Sequence, residues 1–401
     1  MFFQAEIPYG AYWTTPFCKW QSDFQHLHAI RFAAHVVREE FAARAWPASA
    51  FDFAVLGTTI PQAQCFYGTP WLTALAGLGG LSGPMVAQAC ATGVRAIATA
   101  VGELALGQAH TALVVTADRT SNGAHLYYPD PSGTGGAGVH ENWVLDNFSC
   151  DPVGDNSMVQ TAENVAARHA ISTAEQHEVV LQRYAQYQDA LAGDHAFQRR
   201  YMRLPFAVPR PRFDRPAGSI AGDVGVTATS ADALAALRPV VAGGTVTFAG
   251  QTHPADGNAG LVVTTPARAR ELARDGNVRV RLLGFGQARV EQAYMPEAVI
   301  PAATDALGMA GLGIGDIEAV KTHNPFAVND IVFARTTGFA LERMNNFGCS
   351  LIWGHPQAPT GTRAIIELIE ELAQRGGGRG LFSGCAAGDT AMALVLRVEV
   401  A

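Results

Sequence analysis

The chain has 401 residues, 48% hydrophobic and 16% charged, with a formal net charge of -7. That length exceeds one ordinary domain, so two or three domain-sized cores are expected. The composition excludes a disordered chain and the acidic balance excludes general binding to a nucleic-acid backbone, leaving room only for a small anionic ligand held by local arginines.

The stretch Met1-Phe2-Phe3-Gln4-Ala5-Glu6 lacks the basic start and apolar core of a secretory leader, so a cytoplasmic protein is expected. An amphipathic helix is predicted over Phe24–Ala45, with Phe24, Leu27, Phe32, Val36 and Phe41 on one side, followed by a strand over Phe51–Ile60. Residues Phe53–Val94 carry no charge, but glycines and prolines between Gly57 and Pro84 break every apolar run of about 20 residues, so the stretch reads as buried core and not as a membrane span. A short strand over Met85–Gln88 leads to Cys90. A helix over Thr92–Leu106 follows, stopped by Gly107, and then a strand over Thr111–Thr116.

Between about Asp118 and Val246 the texture changes to that of an insertion, with a Gly- and Pro-rich loop at Pro129–Gly138, a helical pair within Met158–Ala192 and an extended run at Pro205–Pro216. Beyond it the patterning predicts a strand over Val278–Phe285, a helix over Pro301–Met309 with proline at its first position, and a strand over Glu318–Thr322 ending at His323. A helix over Thr360–Gln374, a turn over Arg375–Gly380, and the strands Leu381–Ser383 and Ala391–Val400 on either side of Cys385 complete the chain. Each half alternates strands and helices and places a cysteine just beyond a strand, the pattern of a duplicated α/β architecture without residue-by-residue repetition.

The six cysteines, Cys18, Cys65, Cys90, Cys150, Cys349 and Cys385, form no CxxC pair, so neither a zinc site nor a disulfide framework is indicated. Five segments stand out instead: Gln88-Ala89-Cys90-Ala91-Thr92-Gly93, Thr245-Val246-Thr247 with Asp256-Gly257, Thr322-His323-Asn324-Pro325-Phe326, Gly354-His355-Pro356, and Gly384-Cys385-Ala386-Ala387-Gly388. In this order they resemble the thiolase family, which makes or cleaves 3-ketoacyl-CoA thioesters. Met158 with Thr161-Ala162-Glu163-Asn164-Val165-Ala166, and Gly348-Cys349-Ser350-Leu351-Ile352-Trp353 running into His355, extend the likeness over nearly the whole chain.

The resemblance implies a thiolase fold: two similar halves forming a layered α/β/α/β/α core, residues 1–118 plus 249–271 and residues 272–401, with a loop domain over 119–248. It implies coenzyme A as co-substrate, no permanently bound cofactor, no metal, acyl-CoA as the small-molecule partner, and a homodimer or homotetramer with no nucleic-acid or membrane partner.

Making or breaking a carbon–carbon bond beside a thioester carbonyl needs a nucleophile that holds the acyl group and releases it again. A thiol suits this once its site favours the thiolate, and Cys90 precedes a helix whose N-terminal amides supply positive potential. The family pattern implies His355 as the base for Cys90 and Cys385 as the acid/base at the carbon alpha to the thioester. It puts His323 where most members carry the Asn of an Asn-Glu-Ala-Phe motif, as in sterol-carrier-type thiolases and condensing ketosynthases, so His323 is assigned to the thioester oxyanion hole with Asn324 in support.

Ala387 replaces a family glycine whose backbone amide, with that of Cys90, forms the second oxyanion hole. Ser157 replaces a histidine, Val226 an arginine, and Thr252-His253-Pro254 a serine-containing loop; Met158, Thr252 and Phe326 are carried over to the substrate and coenzyme A pocket. Arg210, Arg212 and Arg215 read as a solvated loop or as a contact for the coenzyme A phosphates. Taken singly, Cys90 reads equally as a packed cysteine, Cys385 as part of a tight turn and His323 as a strand cap. Cys18, Cys65, Cys150 and Cys349 are left to packing. Alternative functions are a decarboxylating ketosynthase-like enzyme and a non-catalytic acyl-CoA-binding protein.

Overall fold

The computed structural model describes residues 4–401, so Met1, Phe2 and Phe3 of the stretch read for a leader lie outside the described residues. The first sheet runs Tyr12–Thr14, Ala255–Thr264, Thr111–Arg119, Phe53–Gly57, Met85–Val86, with Cys18–Lys19 also paired to Ala255–Thr264. The second runs Val278–Arg289, Thr390–Val400, Gly377–Ala386, Ala319–His323. In each, two neighbouring strands are parallel (Phe53–Gly57 with Thr111–Arg119; Ala319–His323 with Gly377–Ala386) and the next two pairings are antiparallel. This is the duplication expected from the pattern of elements.

Helices Thr92–Ala105 and Ala358–Gln374 pack against each other and against both sheets. Ala29–Arg44 covers the other face of the first sheet and Val299–Ala310 that of the second, giving five layers, α/β/α/β/α. Covered on both sides, strands such as Ala255–Thr264 are buried at every residue and lose the apolar–polar alternation of a half-exposed strand. The central helices approach closely at Gly93, where a Cβ would stand 2.7 Å from the Thr362 amide and 2.9 Å from the Ala358 carbonyl. Only glycine fits there.

The Ala358–Gln374 helix carries Arg363, Glu367, Glu370 and Glu371 into the interior. Buried charges persist when paired and hydrogen-bonded. Arg363 makes two bonds to Asp223, at 2.6 and 2.8 Å, and one to Glu367 at 2.9 Å, and its guanidinium lies 4.8 and 4.5 Å from the ring centres of Phe17 and Trp353. Glu367 also accepts from Tyr201 at 2.9 Å and Lys321 at 3.2 Å. Asp223 belongs to the long segment that joins the Thr111–Arg119 and Ala255–Thr264 strands of the first sheet, so this cluster ties that segment to the central layer.

Several boundaries depart from the sequence-based expectation. Cys385 is not beyond a strand but inside Gly377–Ala386, because the ladder with Thr390–Val400 continues past Ser383 to Ala386; at its other end Gly377 and Gly378, at φ 111° and 140°, start the strand where a turn is expected. The Val299–Ala310 helix starts two residues before Pro301, which sits in the first turn where its missing N–H costs no helical bond. Phe24 packs from a turn ahead of the Ala29–Arg44 helix, and the Pro205–Pro216 run forms part of a hairpin joining Phe206–Pro209 to Pro216–Ile220. Among the described residues no helix is long and apolar enough to cross a membrane.

Removing one partner from a buried ion pair strands the other charge. Arg363→Ala should therefore lower the unfolding free energy by about 3–5 kcal/mol, measured by denaturant titration; a loss below about 1 kcal/mol would contradict the role assigned to the cluster.

Candidate active site

Cys90 lies in the loop between the Met85–Val86 strand and the Thr92–Ala105 helix. The Thr92 hydroxyl ties this loop down, accepting from the Gln88 amide at 2.8 Å and donating to the Ala89 carbonyl at 2.6 Å. Ala89, immediately before the cysteine, is held at φ 42°, a left-handed conformation that non-glycine residues adopt mainly under local constraint. In the second half, the loop into the other central helix carries His355. Its amide donates to the His253 carbonyl at 2.9 Å, and its carbonyl accepts from the Ala255 amide at 3.2 Å. Cys90 and His355 thus occupy corresponding places in the two halves, and the Cys90 sulfur lies 3.1 Å from His355 Nε2. The duplication matches Cys90 with His355, not with Cys385.

The position corresponding to Cys385 in the first half is Asp118, next to last in the Thr111–Arg119 strand as Cys385 is in Gly377–Ala386. Asp118 accepts from the hydroxyls and amides of the Thr58–Ile60 turn at 2.8 to 3.1 Å, and from the Ala358 amide at the start of the second central helix at 2.9 Å. Burial raises its pKa to about 6 despite these donors. Cys385 is fully buried and accepts a hydrogen bond from Asn329 Nδ2 at 3.3 Å. Burial raises its pKa and the nearby Cys90 raises it further, against a lowering by Asn329.

His323 ends the Ala319–His323 strand. Its Nδ1 lies 2.8 Å from Ser350 Oγ, and its ring stacks on that of His355 with centres 4.1 Å apart and planes 29° apart. His323 Nε2 is buried without a partner. The ligand atoms of Cys90, His323 and His355 all lie within 4.8 Å of one another, the only such group of three or more potential metal ligands among the described residues. A buried nitrogen with no partner is costly and marks a place where a substrate oxygen can complete the bonding.

Burial sets the resting charge state of the Cys90–His355 pair. It pushes the Cys90 thiol up to about 12, against lowering by the Ala387 and Cys90 amides, and takes His355 down to about 3. The expected thiolate-favouring site is thus a neutral thiol beside a neutral imidazole, because an ion pair would have to form out of water. Ala387 tolerates its Cβ, since it is not among the positive-φ residues, and the glycine conformation at this turn falls to Gly388 at φ 78°.

The remaining predicted site residues have mostly bracing contacts. Asn324 is saturated: Oδ1 accepts from Ser350 Oγ at 3.0 Å and Leu351 N at 3.2 Å, while Nδ2 donates to Asp330 at 2.8 Å and to Cys349 Sγ at 3.2 Å. The Thr252 hydroxyl donates to the Ser350 carbonyl and its amide to the Pro325 carbonyl at 2.7 Å, so Thr252 braces the loops holding His323. Phe326 is buried at the start of the Ala327–Thr337 helix, whereas Met158 is half-buried at the start of Met158–Arg168, with Ser157 capping that helix through Gln160 N. Arg210, Arg212 and Arg215 are exposed in the hairpin loop.

Sequence reasoning missed Gln357, whose Oε1 accepts from the Cys90 sulfur at 3.3 Å, Thr360 Oγ1, 2.6 Å from His355 Nδ1, and Asn329. Thr360 and Gln357 flank the Gly-His-Pro segment closely enough to have been candidates. Asn329 had no signal beyond its place six residues after His323.

The chain matches the family models "Thiolase, N-terminal domain" over residues 11–267 and "Thiolase, C-terminal domain" over residues 277–398. It belongs to the thiolase family. An acetyl-CoA acetyltransferase of Allochromatium vinosum is 27% identical over 77% of each chain, and a 3-ketoacyl-CoA thiolase of Pseudoalteromonas atlantica is 30% identical over 61% of this chain and 58% of its own. The crystal structure of human mitochondrial 3-ketoacyl-CoA thiolase superposes with a TM-score of 0.88 over 100% of both chains at 20% identity, and that of the Bacillus anthracis acetyl-CoA acetyltransferase with 0.89 over 99% of both at 22%. These likenesses establish the thiolase fold.

Burial holds the His323 pKa well below its ordinary value, with His355 adding to the effect. Below about pH 6.5 the unfolded chain protonates this imidazole and the folded chain does not, so unfolding takes up a proton and stability falls as pH falls. Relative to wild type, His323→Asn should lose about 2 kcal/mol less stability between pH 6.5 and 5, read from denaturant titrations at both pH values. Parallel stability–pH curves would refute the buried neutral state.

Proposed function

We propose that the protein is a thiolase-type acyl-CoA C-acyltransferase that cleaves or forms a 3-oxoacyl-CoA through an acyl-Cys90 intermediate. The observation that carries this reading is the 3.1 Å contact between Cys90 Sγ and His355 Nε2, in a chamber that also brings in His323 Nε2 and Cys385.

In the degradative direction His355 Nε2 takes the Cys90 proton as the sulfur attacks the 3-oxo carbon; its Nδ1–H donates to Thr360. The developing oxyanion meets the Cys90 and Ala387 amides, which already face the sulfur. The C2–C3 bond then breaks, its electrons pass into an enolate whose thioester oxygen is received by His323 Nε2–H, the tautomer in which Ser350 Oγ turns its proton from Asn324 Oδ1 to His323 Nδ1, and Cys385 gives its proton to C2. Acetyl-CoA leaves. The Cys385 thiolate takes the proton of incoming coenzyme A, whose sulfur attacks the acyl-Cys90 carbonyl. Cys90 departs and regains its proton from His355. Synthesis reverses these steps. Because the resting pair is neutral, the proton moves with the attack and not before it.

The Cys90–His323–His355 set also supports a decarboxylating condensation, in which two imidazoles receive the thioester oxygen and an acid/base thiol is not required. Buried Cys385, held by Asn329, favours the thiolase reading. Coenzyme A serves as co-substrate, with Met158 and Phe326 at the pocket and no permanently bound group. The six free cysteines fit a reducing cytoplasm.

Homodimerisation is inferred from the edge of the first sheet. There the short Met85–Val86 strand has a neighbour on one side only, and Phe66, Tyr67 and Met85 are 89%, 66% and 42% exposed on a chain segment without charge.

Acetyl-CoA should label Cys90 covalently in the wild type and in Cys385→Ala but not in Cys90→Ala, as read by intact-protein mass spectrometry. Cys385→Ala should lose about 10²–10⁴-fold in 3-oxoacyl-CoA thiolysis while keeping that label. Turnover with malonyl thioesters alone would select the condensing reading. Phe66→Asp should shift the protein toward monomer in analytical ultracentrifugation; an unchanged dimer would move the interface elsewhere.

A further inference from the structure

A cavity of about 940 Å³ opens beside the Tyr12–Thr14 end of the first sheet, opposite the Met85–Val86 edge. Arg200 and Arg274 on its wall bind Glu370, which by helical rise stands about 18 Å along the Ala358–Gln374 helix from the end nearest His355. The cavity is therefore separate from the thiol chamber, and no step of the acyl transfer uses it.

Six arginines line it, Arg44, Arg199, Arg200, Arg203, Arg268 and Arg274, against two glutamates, Glu40 and Glu271. Their pairing is lopsided. Buried Glu40 binds both Arg44 and Arg203, and buried Glu370 binds both Arg200 and Arg274, so each carboxylate holds two guanidiniums and leaves one positive charge over. Arg199 and Arg268 are matched by Asp194 and Glu271, while Glu39, off the cavity wall, is engaged by His35 at 3.1 Å.

The two pairs converge at Gly10. Its carbonyl accepts from Arg44 at 3.4 Å, and a Cβ on it would stand 2.6 Å from the Cβ of Arg274. Burial, and then the charges of Arg203 and Arg274, bring the Arg44 pKa down to about 10. Like charges held side by side by buried carboxylates form a prearranged anion site.

Guanidinium forks fit phosphate and carboxylate oxygens, and two converging charges favour one doubly charged group over two separated carboxylates. The volume lies in the range of small-metabolite sites and leaves room for more than a bare phosphate. We propose that this cavity binds a phosphate monoester, its phosphoryl group between the Arg44–Arg203 and Arg200–Arg274 pairs and its organic part against Trp46.

Isothermal titration calorimetry of the intact protein with ribose 5-phosphate, ribose and succinate tests this, at about pH 7.5, where the phosphomonoester is doubly charged. Ribose 5-phosphate should bind, ribose should not, and succinate should bind more weakly than the phosphate. Arg203→Gln should weaken ribose 5-phosphate binding about tenfold. Glu271→Gln, which removes a negative charge from the wall, should strengthen it about threefold. Both side chains reach solvent, and Arg203→Gln leaves Glu40 its bond to Arg44, so both variants should fold. The proposal is overturned if ribose 5-phosphate fails to bind at about 10 mM, if ribose binds, if succinate binds at least as tightly as the phosphate, or if either variant leaves the affinity unchanged.

Discussion

One contact between two loops, Cys90 sulfur to His355 nitrogen, sets what the rest of the molecule must hold in place. The partners are 265 positions apart, each standing just ahead of one of the two central helices. Their separation is therefore fixed by how those helices pack. Gly93 sets the approach, and the paired charges of Arg363, Asp223 and Glu367 fasten the second helix from its other side. A side chain at position 93 would separate the helices and with them Cys90 and His355.

Burial shapes the chemistry as strongly as geometry does. The thiols and imidazoles of the chamber are all held neutral, so the site stores no charge before substrate arrives. What it stores instead is incomplete hydrogen bonding: a bare Nε2 on His323 and amides already directed at the sulfur. Charge that develops during the reaction meets donors that need no reorganisation.

Much of this was legible in the sequence because the reactive residues lie in short segments with glycine or proline neighbours, and because strand and helix patterning alternates in both halves. Cys90, His355, Cys385 and His323 could be named from those segments, and the five-layered core followed from the same likeness. The contact of Asn329 with Cys385 could not, since it arises when distant elements meet and leaves no periodic trace. The Ala358–Gln374 helix misleads in another way: its charged residues suggest a solvated face, yet they are interior and paired with Asp223, Lys321, Tyr201 and others. The expectation of a cysteine just beyond a strand in each half did not hold for Cys385, which lies inside a strand and answers to Asp118 of the first half.

That carboxylate has a wider reach than its position suggests. Asp118 belongs to the first half, gathers the Thr58–Ile60 turn of that half, and also receives the leading amide of the second half's central helix, three residues after His355. Placement of the imidazole is thereby coupled to side chains nearly three hundred positions earlier. Variation at Thr58 or Thr59 and variation around His355 form one epistatic unit, so a change tolerated in one lobe can become harmful or be rescued according to what the other lobe carries.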